Sequence, residues 1–419
     1  MPRRRLAILS QPFDGVLPPH QNSIGIWIHE AARRLAPRHD VTVYLQPTQE
    51  LRTEAVRDGV RYRPLDLDVD RRLQRLLAPV TPADDPHRPP YARRRHWLPY
   101  ALRAGLDARR RGVEVIHVLN FHQFAPLLKR AAPRARVVLH MRCEWLSQVD
   151  RAWAARSLAA CDAVVGCSGH VTGLIRERFP EFAERCRTIP NAIDMAGFTP
   201  GPDPDPARPP RLLAVGRVSP EKGAHVLVEA MRAVADARPD ARLDVVGSFG
   251  QLPWEFLAGL SDDPALQALA PFYAPDAPRY ADGLQARVQE LGLGEQVTFT
   301  GGKPYEEVMA RMRDCDVLIN PSLSESFGRT PVEAMACARP VVGAAVGGML
   351  DTIVDGETGR LVPAADPAAL AAAVLELLAD PDRRRAMGRA GRARAEAEFS
   401  WESVLTRIEA LGEEVIGRG

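Results

Sequence analysis

Several features are missing from this 419-residue chain, and each absence excludes a class of protein. No apolar run approaches the roughly 20 residues that a transmembrane helix needs. The early run Leu6–Leu9 follows three arginines, but it is too short for the core of a secretory signal. We therefore expect a buried strand there and a cytoplasmic protein.

Common metal and cofactor patterns are also missing. The six cysteines form no Cys-x-x-Cys pair and have no histidine at zinc-finger spacing, so reduced core thiols and no structural metal are expected. No Gly-x-Gly-x-x-Gly joins a strand to a helix, which argues against a dinucleotide dehydrogenase. Lysines are few, which argues against a phosphorylase that forms a pyridoxal Schiff base.

The composition is that of a soluble globular protein, with 46% apolar and 26% charged residues. Residues 1–199 carry 32 basic and 20 acidic residues, whereas the remainder carries 23 and 33. A basic first half favours an anionic partner, such as a phosphate-bearing substrate or membrane head groups. Arg93–Arg95 with Trp97 and Tyr100 is the candidate membrane contact, and a solvated charged face is the alternative. No nucleic-acid motif accompanies the charge, so no nucleic-acid partner is expected.

Strand-like runs alternate with helical patterns, which predicts an α/β fold with parallel sheets, and the length favours two domains. The proline-rich stretch 199–210 is predicted to be a linker between domains 1–198 and 211–398, with a closing helix in 399–419. Segments 46–112 and 248–278 are longer than ordinary connections, and they are predicted to be binding loops or surface decoration. The predicted strands are Leu6–Leu9, Val41–Leu45, Val113–Leu119, Ala135–His140, Ala163–Cys167, Arg187–Ile189, Leu212–Val215, Arg242–Val246, Val297–Thr300, Val317–Asn320 and Val341–Gly343.

The most informative segment is Glu325-Ser-Phe-Gly-Arg-Thr-Pro-Val-Glu333, which follows a predicted strand. Gly328 lets the backbone approach a ligand, and the N–H groups opening the next predicted helix, 331–338, favour phosphate. Carboxylates on both sides of this turn are placed to hold hydroxyls flanking a diphosphate. A nucleotide-sugar site is therefore predicted at this strand end. The alternative for Glu333 is a capping box with Thr330.

A second strand end carries cations. Gly216-Arg-Val-Ser-Pro-Glu-Lys222 follows the predicted strand Leu212–Val215. Arg217 offers bidentate geometry and Lys222 a point charge, and together they can neutralise a diphosphate.

These motifs resemble the retaining glycosyltransferases of family 4, which have the GT-B fold. The resemblance rests on Gly216-Arg-x4-Lys222, Ser322-x2-Glu325-Ser-Phe-Gly-x4-Glu333, Pro340-Val-Val, Gly347-Gly348 and Asp355-Gly-x2-Gly359. Ser168, Ile189-Pro-Asn-Ala-Ile-Asp194-x3-Phe198 and Phe399-Ser-Trp401 extend it over most of the chain. It implies two Rossmann-like domains facing across a cleft, the first binding acceptor and the second binding nucleotide-sugar, with the last helix crossing back.

The resemblance also implies roles for individual residues. Glu325 would hydrogen-bond the donor sugar and Glu333 the ribose, while Arg217 and Lys222 would bind the diphosphate and stabilise the leaving group. His140 would contact the donor sugar across the cleft, with a satisfied core histidine as the alternative. The implied set also includes the donor-side residues Gly216, Lys303 (near the base), Ser326, Phe327, Gly328, Arg329 and Thr330, and the acceptor-side residues Gly15 and Asn191. No metal or cofactor is implied.

The chain departs from the family at two places. The first loop has the single Gly15 where paired glycines are usual, which bears on the acceptor pocket. Arg329-Thr330 stands where two aliphatic residues are common, which bears on the ribose contact.

The predicted function is transfer of a sugar, with retention, from a nucleotide-diphosphate donor to an acceptor hydroxyl. A UDP-sugar is favoured over a GDP-sugar, in the biosynthesis of glycans, glycolipids or glycosylated natural products. The alternatives are an inactive nucleotide-binding scaffold and a sugar-nucleotide epimerase. Asp66-Leu-Asp-Val-Asp70 resembles the metal-binding Asp-x-Asp of the other glycosyltransferase fold, but a short run of this kind is more typical of a solvated strand face.

Overall fold

The computed structural model describes residues 2–77, 87–89, 93, 96–203, 205, 207–257 and 260–418, with the backbone alone at 256 and 257. The chain divides into two compact units, one of Met1–Pro190 with Val404–Gly419 and one of Asn191–Ser403. The proline-rich stretch 199–210 lies inside the second unit. Arg94 and Arg95 of the candidate membrane contact lie outside the described residues.

The first unit is built on an eight-stranded sheet in the order β3-β4-β2-β1-β5-β6-β7-β8. Neighbouring strands pair in parallel, except for the antiparallel pair β3 and β4. The strands are β1 Arg5–Leu9, β2 Asp40–Leu45, β3 Ala55–Arg57, β4 Val60–Pro64, β5 Val115–Leu119, β6 Arg136–Met141, β7 Ala163–Gly166 and β8 Cys186–Thr188.

Strands β3 and β4 were not predicted, although a local signal for them exists. They flank Asp58-Gly59, both of which have positive φ, at 51° and 75°. An Asp-Gly pair in this conformation is typical of a two-residue hairpin turn. The segment 46–112 is therefore partly an extension of the sheet.

Most helices of the first unit pack apolar residues into its core. In α1 Ser23–Leu35, the Asn22 side chain accepts a hydrogen bond from Gly25 N at 2.7 Å, and Trp27, Ile28 and Leu35 are buried. A polar N-cap and an apolar face at helical spacing explain why the helix begins and packs here. The other helices are α2 Asp68–Leu77, α3 Leu98–Arg110, α4 Ala125–Ala131, α5 Trp145–Gln148, α6 Arg151–Leu158 and α7 Gly169–Arg178.

The interpretation of Asp66–Asp70 as a solvated strand face is wrong. Asp68 begins α2, and Asp70 is fully buried, where it accepts hydrogen bonds from Tyr100 N and Arg103 Nη2, each at 3.0 Å. Tyr100 is itself fully buried, so its ring cannot belong to the candidate membrane contact. These residues form structural contacts between α2 and α3 instead.

The second unit has a six-stranded parallel sheet in the order β11-β10-β9-β12-β13-β14. Its last strand, β14, was not predicted because it is a short segment that follows a turn at Gly356, where φ is 80°. The strands are β9 Arg211–Val215, β10 Arg242–Val246, β11 Val297–Gly301, β12 Val317–Asn320, β13 Val341–Ala344 and β14 Gly359–Val362.

The helices of the second unit complete its core. The helix α15 shows a common start, because the Asp366 side chain accepts a hydrogen bond from Ala369 N at 2.9 Å and Pro367 occupies the first turn. The helices are α8 Ala224–Ala237, α9 Trp254–Leu257, α10 Pro264–Gln267, α11 Tyr280–Glu290, α12 Tyr305–Asp314, α13 Arg329–Ala336, α14 Met349–Thr352, α15 Pro367–Ala379 and α16 Pro381–Phe399. Across the described residues, no helix is both long and apolar enough to span a bilayer.

The closing helix α17, Trp401–Gly417, packs in the first unit from Val404 onward. Glu409 accepts a hydrogen bond from buried His39 at 2.9 Å, and Glu413 forms an ion pair with Arg4 at 2.6 Å. These polar contacts fix the helix beside the start of β1.

Candidate functional site

The sheet of the second unit changes direction between β9 and β12. From β9 the chain continues to β10 and β11 on one side, whereas β12 leads to β13 and β14 on the other. Loops that leave two such neighbouring strands diverge, and ligands of open α/β sheets bind in the resulting crevice. Both motifs singled out in the sequence follow these two strands.

The loop after β9 carries Arg217. Its Nη2 donates to Glu221 Oε1 at 2.6 Å, and Ser219 Oγ donates to the same oxygen at 2.7 Å. Glu221 is almost completely buried, whereas about a third of the Arg217 side chain is exposed. The carboxylate therefore anchors one edge of the guanidinium while part of it remains accessible to an anion.

The two loops are packed directly against each other. Gly223 has φ of 70°, and a Cβ there would overlap the carbonyl oxygen of Pro321. Leu323 N donates to Glu221 O at 2.9 Å. This close approach brings Lys222 Nζ to 2.8 Å from Glu325 Oε2, so the candidate diphosphate cation and the candidate sugar-binding carboxylate form an ion pair.

Glu325 is held as an ionised carboxylate. Burial would raise the pKa of this group, but the Lys222 ammonium and the N–H groups of Gly328 and Phe327 outweigh burial and lower the pKa. Behind the turn, Gly348 N donates to Glu325 O at 2.7 Å, and a Cβ on Gly348 would overlap Ser326 O. The glycine is therefore needed for the Gly347-Gly348 loop to pack against the turn.

The helix after this turn begins at Arg329, two residues earlier than predicted. Gly328, with φ of 89°, occupies the cap position, and no side chain caps the helix. The capping-box alternative for Glu333 is therefore wrong, because Thr330 and Glu333 both lie inside α13. Glu333 Oε1 instead accepts hydrogen bonds from Arg329 Nε at 2.7 Å and Tyr305 Oη at 3.0 Å.

Other residues of the predicted donor set lie around these groups. Gly216 N donates to Val246 O at 2.9 Å, Asn320 Nδ2 lies 3.4 Å from Thr330 Oγ1, and Lys303 Nζ lies 3.6 Å from Glu307. Phe327 is buried, with its ring 5.7 Å from that of Phe399. The structure thus joins Lys222 to Glu325 and Arg329 to Glu333, whereas Lys303 contacts neither pair directly.

In the first unit, His140 lies at the end of β6 and is fully buried. Its Nε2 lies 2.9 Å from His117 Nδ1, and no described residue pairs with its Nδ1. Burial, followed by His117 and Arg142, holds the pKa of His140 well below its ordinary value. His140 is therefore neutral at physiological pH, with one ring nitrogen fixed.

The two residues predicted to lie on the acceptor side belong to different units. Gly15 belongs to the first unit, where a Cβ would overlap His20 O, and a Cβ on Gly25 of α1 would overlap Gly15 O. A second glycine thus packs against the first loop, although the two are not adjacent in sequence. Asn191 is the first residue of the second unit.

Two residues next to the candidate site were missed. Glu221 lies within the Ser219-Pro-Glu-Lys222 segment, and its buried pairing with Arg217 follows only from the loop conformation. Tyr305 follows Lys303-Pro304, and no sequence pattern links it to Glu333 28 residues later.

Within the described ranges, no three His, Cys, Asp or Glu side chains are grouped to hold a metal ion. Metal-independent transfer stays a prediction.

Comparison with known proteins gives two family matches. Residues 24–196 match the profile described as Glycosyltransferase Family 4, and residues 202–394 match Glycosyl transferases group 1. D-inositol 3-phosphate glycosyltransferase 1 of Catenulispora acidiphila is 31% identical over 339 residues, or 77% of this chain and 72% of that protein. D-inositol 3-phosphate glycosyltransferase of Segniliparus rotundus is 32% identical over 262 residues. That alignment covers 60% of this chain and 52% of the relative, so the chain spans about half the length of this protein.

Solved structures with the same fold are more distant in sequence. Sucrose-phosphate synthase from Thermosynechococcus elongatus superposes with a TM-score of 0.72 at 22% identity, over 99% of this chain and 100% of that one. HepE from Anabaena, solved in complex with UDP, superposes with a TM-score of 0.70 at 18% identity, over 97% of this chain and 98% of that one.

Proposed function

Because this chain belongs to glycosyltransferase family 4, we propose that it moves a sugar from a nucleotide-diphosphate donor to an acceptor hydroxyl with retention of configuration. The predicted GT-B fold class is confirmed by the two predominantly parallel sheets and by the structural neighbours. Fold alone does not define an activity, so the proposal rests on the site.

The observation that carries the proposal is the Lys222–Glu325 ion pair, at 2.8 Å, where β9 and β12 diverge. A cation suited to phosphate and a carboxylate suited to sugar hydroxyls are adjacent there, next to the Gly328 turn. A nucleotide-sugar needs both groups at the junction between its diphosphate and its sugar. A site for nucleotide alone has no use for Glu325.

The proposed chemistry assigns these residues distinct tasks. As the glycosidic bond breaks, negative charge develops on the departing diphosphate, and the fixed cations Arg217 and Lys222 stabilise it. Glu325 orients the sugar through its hydroxyls and is not a nucleophile. The acceptor hydroxyl attacks from the face that the diphosphate leaves, and a donor phosphate oxygen accepts its proton.

A UDP-sugar is the favoured donor, because a solved neighbour of the same fold binds UDP. For the acceptor, we infer a polyol or sugar that carries a phosphate. The relatives are named for inositol 3-phosphate, a neighbour is a sucrose-phosphate synthase, and residues 1–199 are strongly basic. The alternative is a lipid-linked acceptor at a membrane, because anionic head groups would also be attracted to the basic residues of 1–199.

Thermal shift with UDP, GDP, ADP, TDP and NAD tests the donor, using wild type, Arg217→Ala and Arg287→Ala. Arg287 pairs with Glu229 on the protein surface and serves as the control. One diphosphate at a hundred times its Kd stabilises the fold by about 2.7 kcal/mol. We expect that shift for UDP in wild type and Arg287→Ala, and its loss in Arg217→Ala.

Incubation of the matching UDP-sugar with phosphorylated and unphosphorylated polyols, followed by NMR of the product anomer, then tests transfer. A retained anomeric configuration supports the proposal, and an inverted one refutes it. Binding of UDP without transfer or sugar hydrolysis would favour the scaffold, and a new UDP-sugar without acceptor would favour the epimerase. Flotation of the protein with anionic vesicles at low salt separates a membrane-bound acceptor from a soluble one.

A further inference from the structure

Glu333 belongs to a closed three-residue cluster in the second unit. Arg329 Nε donates to Glu333 Oε1 at 2.7 Å, Tyr305 Oη donates to the same oxygen at 3.0 Å, and Arg329 Nη2 donates to Tyr305 Oη at 2.8 Å. Only 4% of the Glu333 side chain is exposed. Each member therefore contacts both others, so no one of them can turn away without breaking two contacts.

The two oxygens of this carboxylate are not equivalent. Both protein donors converge on Oε1, and no hydrogen bond from a described residue reaches Oε2. A carboxylate oxygen offers about two acceptor positions, so Oε1 is saturated by the protein. Oε2 is the oxygen that remains for a ligand.

Tyr305 is partly enclosed, with 38% of the residue exposed and the remainder held by ring contacts and by its hydroxyl. The buried Phe198 ring packs edge-on at 5.4 Å from its ring, and the Arg329 guanidinium lies 5.8 Å from the ring centre. Burial, followed by the charge of Glu333, raises the pKa of Tyr305, so its hydroxyl stays protonated and able to donate. Tyr305 also begins α12, directly after the loop that contains Lys303.

We propose that Tyr305 and Arg329 are positioning residues that orient Glu333 so that Oε2 alone meets the nucleotide ribose. This inference rests on the proposed function, which supplies the nucleotide. Oε2 also has two acceptor positions, but these diverge, and the vicinal ribose hydroxyls approach one oxygen from nearly the same direction, so only one of them can form a well-aligned hydrogen bond to it. An unrestrained carboxylate can instead bind each hydroxyl with a separate oxygen. The site therefore depends on one of the 2′- and 3′-hydroxyls far more than on the other.

The test compares the Kd of UDP, 2′-deoxy-UDP and 3′-deoxy-UDP by calorimetry in wild type, Tyr305→Phe and Arg329→Leu. If wild type binds GDP or ADP instead, the matching deoxy analogues are used. Loss of one hydrogen bond to a charged group weakens binding about 10- to 100-fold. We expect that loss for one deoxy analogue in wild type and less than about threefold for the other.

In Tyr305→Phe and Arg329→Leu, Glu333 is less restrained, so the ratio between the two deoxy Kd values should fall at least threefold towards one. Matched controls are Tyr280→Phe, which removes a hydroxyl bonded to His225, and Arg287→Leu, which breaks a surface ion pair. Both controls should keep the wild-type ratio. A purely structural role would lower the melting temperature and leave the ratio unchanged.

Two results would overturn the inference while leaving the proposed function intact. The first is an equal loss of affinity for both deoxy analogues in wild type, which would indicate that both carboxylate oxygens bind the ribose. The second is a wild-type ratio preserved in both variants that fold. If wild type binds no nucleoside diphosphate, the proposed function itself fails.

Discussion

Substitution of Gly223 by alanine should damage the candidate site without touching any group that carries charge. Gly223 has φ of 70°, and a Cβ there would lie 2.0 Å from the carbonyl oxygen of Pro321, well inside van der Waals contact. Lys222 immediately precedes it, and Glu325 lies four residues after Pro321. The glycine thus sets the distance between the two loops that form the Lys222–Glu325 pair.

The loss of folding stability in Gly223→Ala has two parts, backbone strain and steric overlap, and a matched control separates them. Gly292 has φ of 68°, and a Cβ there would have no atom within 4 Å. Gly292→Ala therefore has only the left-handed backbone penalty, about 1–2 kcal/mol. Gly223→Ala adds the displacement of a backbone carbonyl, comparable to overpacking at about 1–3 kcal/mol. We expect about 2–5 kcal/mol in total for Gly223→Ala.

Urea unfolding followed by circular dichroism gives the stabilities, and turnover of the UDP-sugar gives the function. Misplacement of a catalytic group by about 1 Å can cost roughly 100-fold in rate. We expect kcat/KM to fall about 10- to 100-fold in Gly223→Ala and by less than about twofold in Gly292→Ala. Folded protein must be confirmed for both before rates are compared.

Equal losses of stability in the two alanine variants would refute a role for the contact between Gly223 and Pro321. A Gly223→Ala variant that loses the extra stability but keeps wild-type turnover would be the second contradicting result. The second result would mean that the Lys222–Glu325 distance is not what the loop contact controls.

Further predictions concern single groups. Glu325→Gln should retain UDP affinity within about threefold and lose at least about 100-fold in kcat, and undiminished turnover would contradict its role with the donor sugar. Because the folded pKa of Glu325 is lowered, its ionised form contributes stability above its ordinary pKa, and this is lost as pH falls through the folded value. The stability gap between wild type and Glu325→Gln should therefore shrink on acidification below about pH 4. Burial lowers the pKa of His225 to about 4. Between about pH 6.5 and this value, the imidazole is therefore protonated in the unfolded chain and neutral in the folded chain. Unfolding free energy should fall with decreasing pH by up to about 1.4 kcal/mol per unit from this residue, and urea titrations of His225→Gln should show a slope smaller by that amount.

Local sequence patterns were sufficient for most strands of the two sheets and insufficient for β3, β4 and β14. In β12 the first three residues, Val317–Ile319, are apolar and the strand is flanked by helical patterns, so its burial could be predicted, and all four residues are buried. Strands β3 and β14 are short and lie at sheet edges, where they carry too few buried residues to produce a clear pattern. Asp70 was misread because its burial depends on α3, whose contact with α2 no local pattern shows.

The candidate site shows the same division. Arg217, Lys222, Glu325 and Glu333 could be selected from the sequence because glycines, charges and strand ends recur at family spacing. Their partners could not be selected. Glu221, Tyr305 and the Pro321 carbonyl act through contacts between loops that are far apart in the chain, or through a backbone conformation that charge patterns do not reveal.

By itself, the sequence determined the α/β class, the two-part organisation and the family, and it selected the candidate residues for phosphate and sugar hydroxyls. The class and the organisation follow from hydrophobic periodicity and length, the family from the resemblance of its motifs, and the candidate residues from that resemblance together with side-chain chemistry. Only the tertiary structure decided that Lys222 pairs with Glu325, that Glu333 has one oxygen occupied by Tyr305 and Arg329, and that His140 is neutral. Hydrogen bonding and desolvation depend on which distant segments pack together, and that is settled only when the whole sheet has assembled.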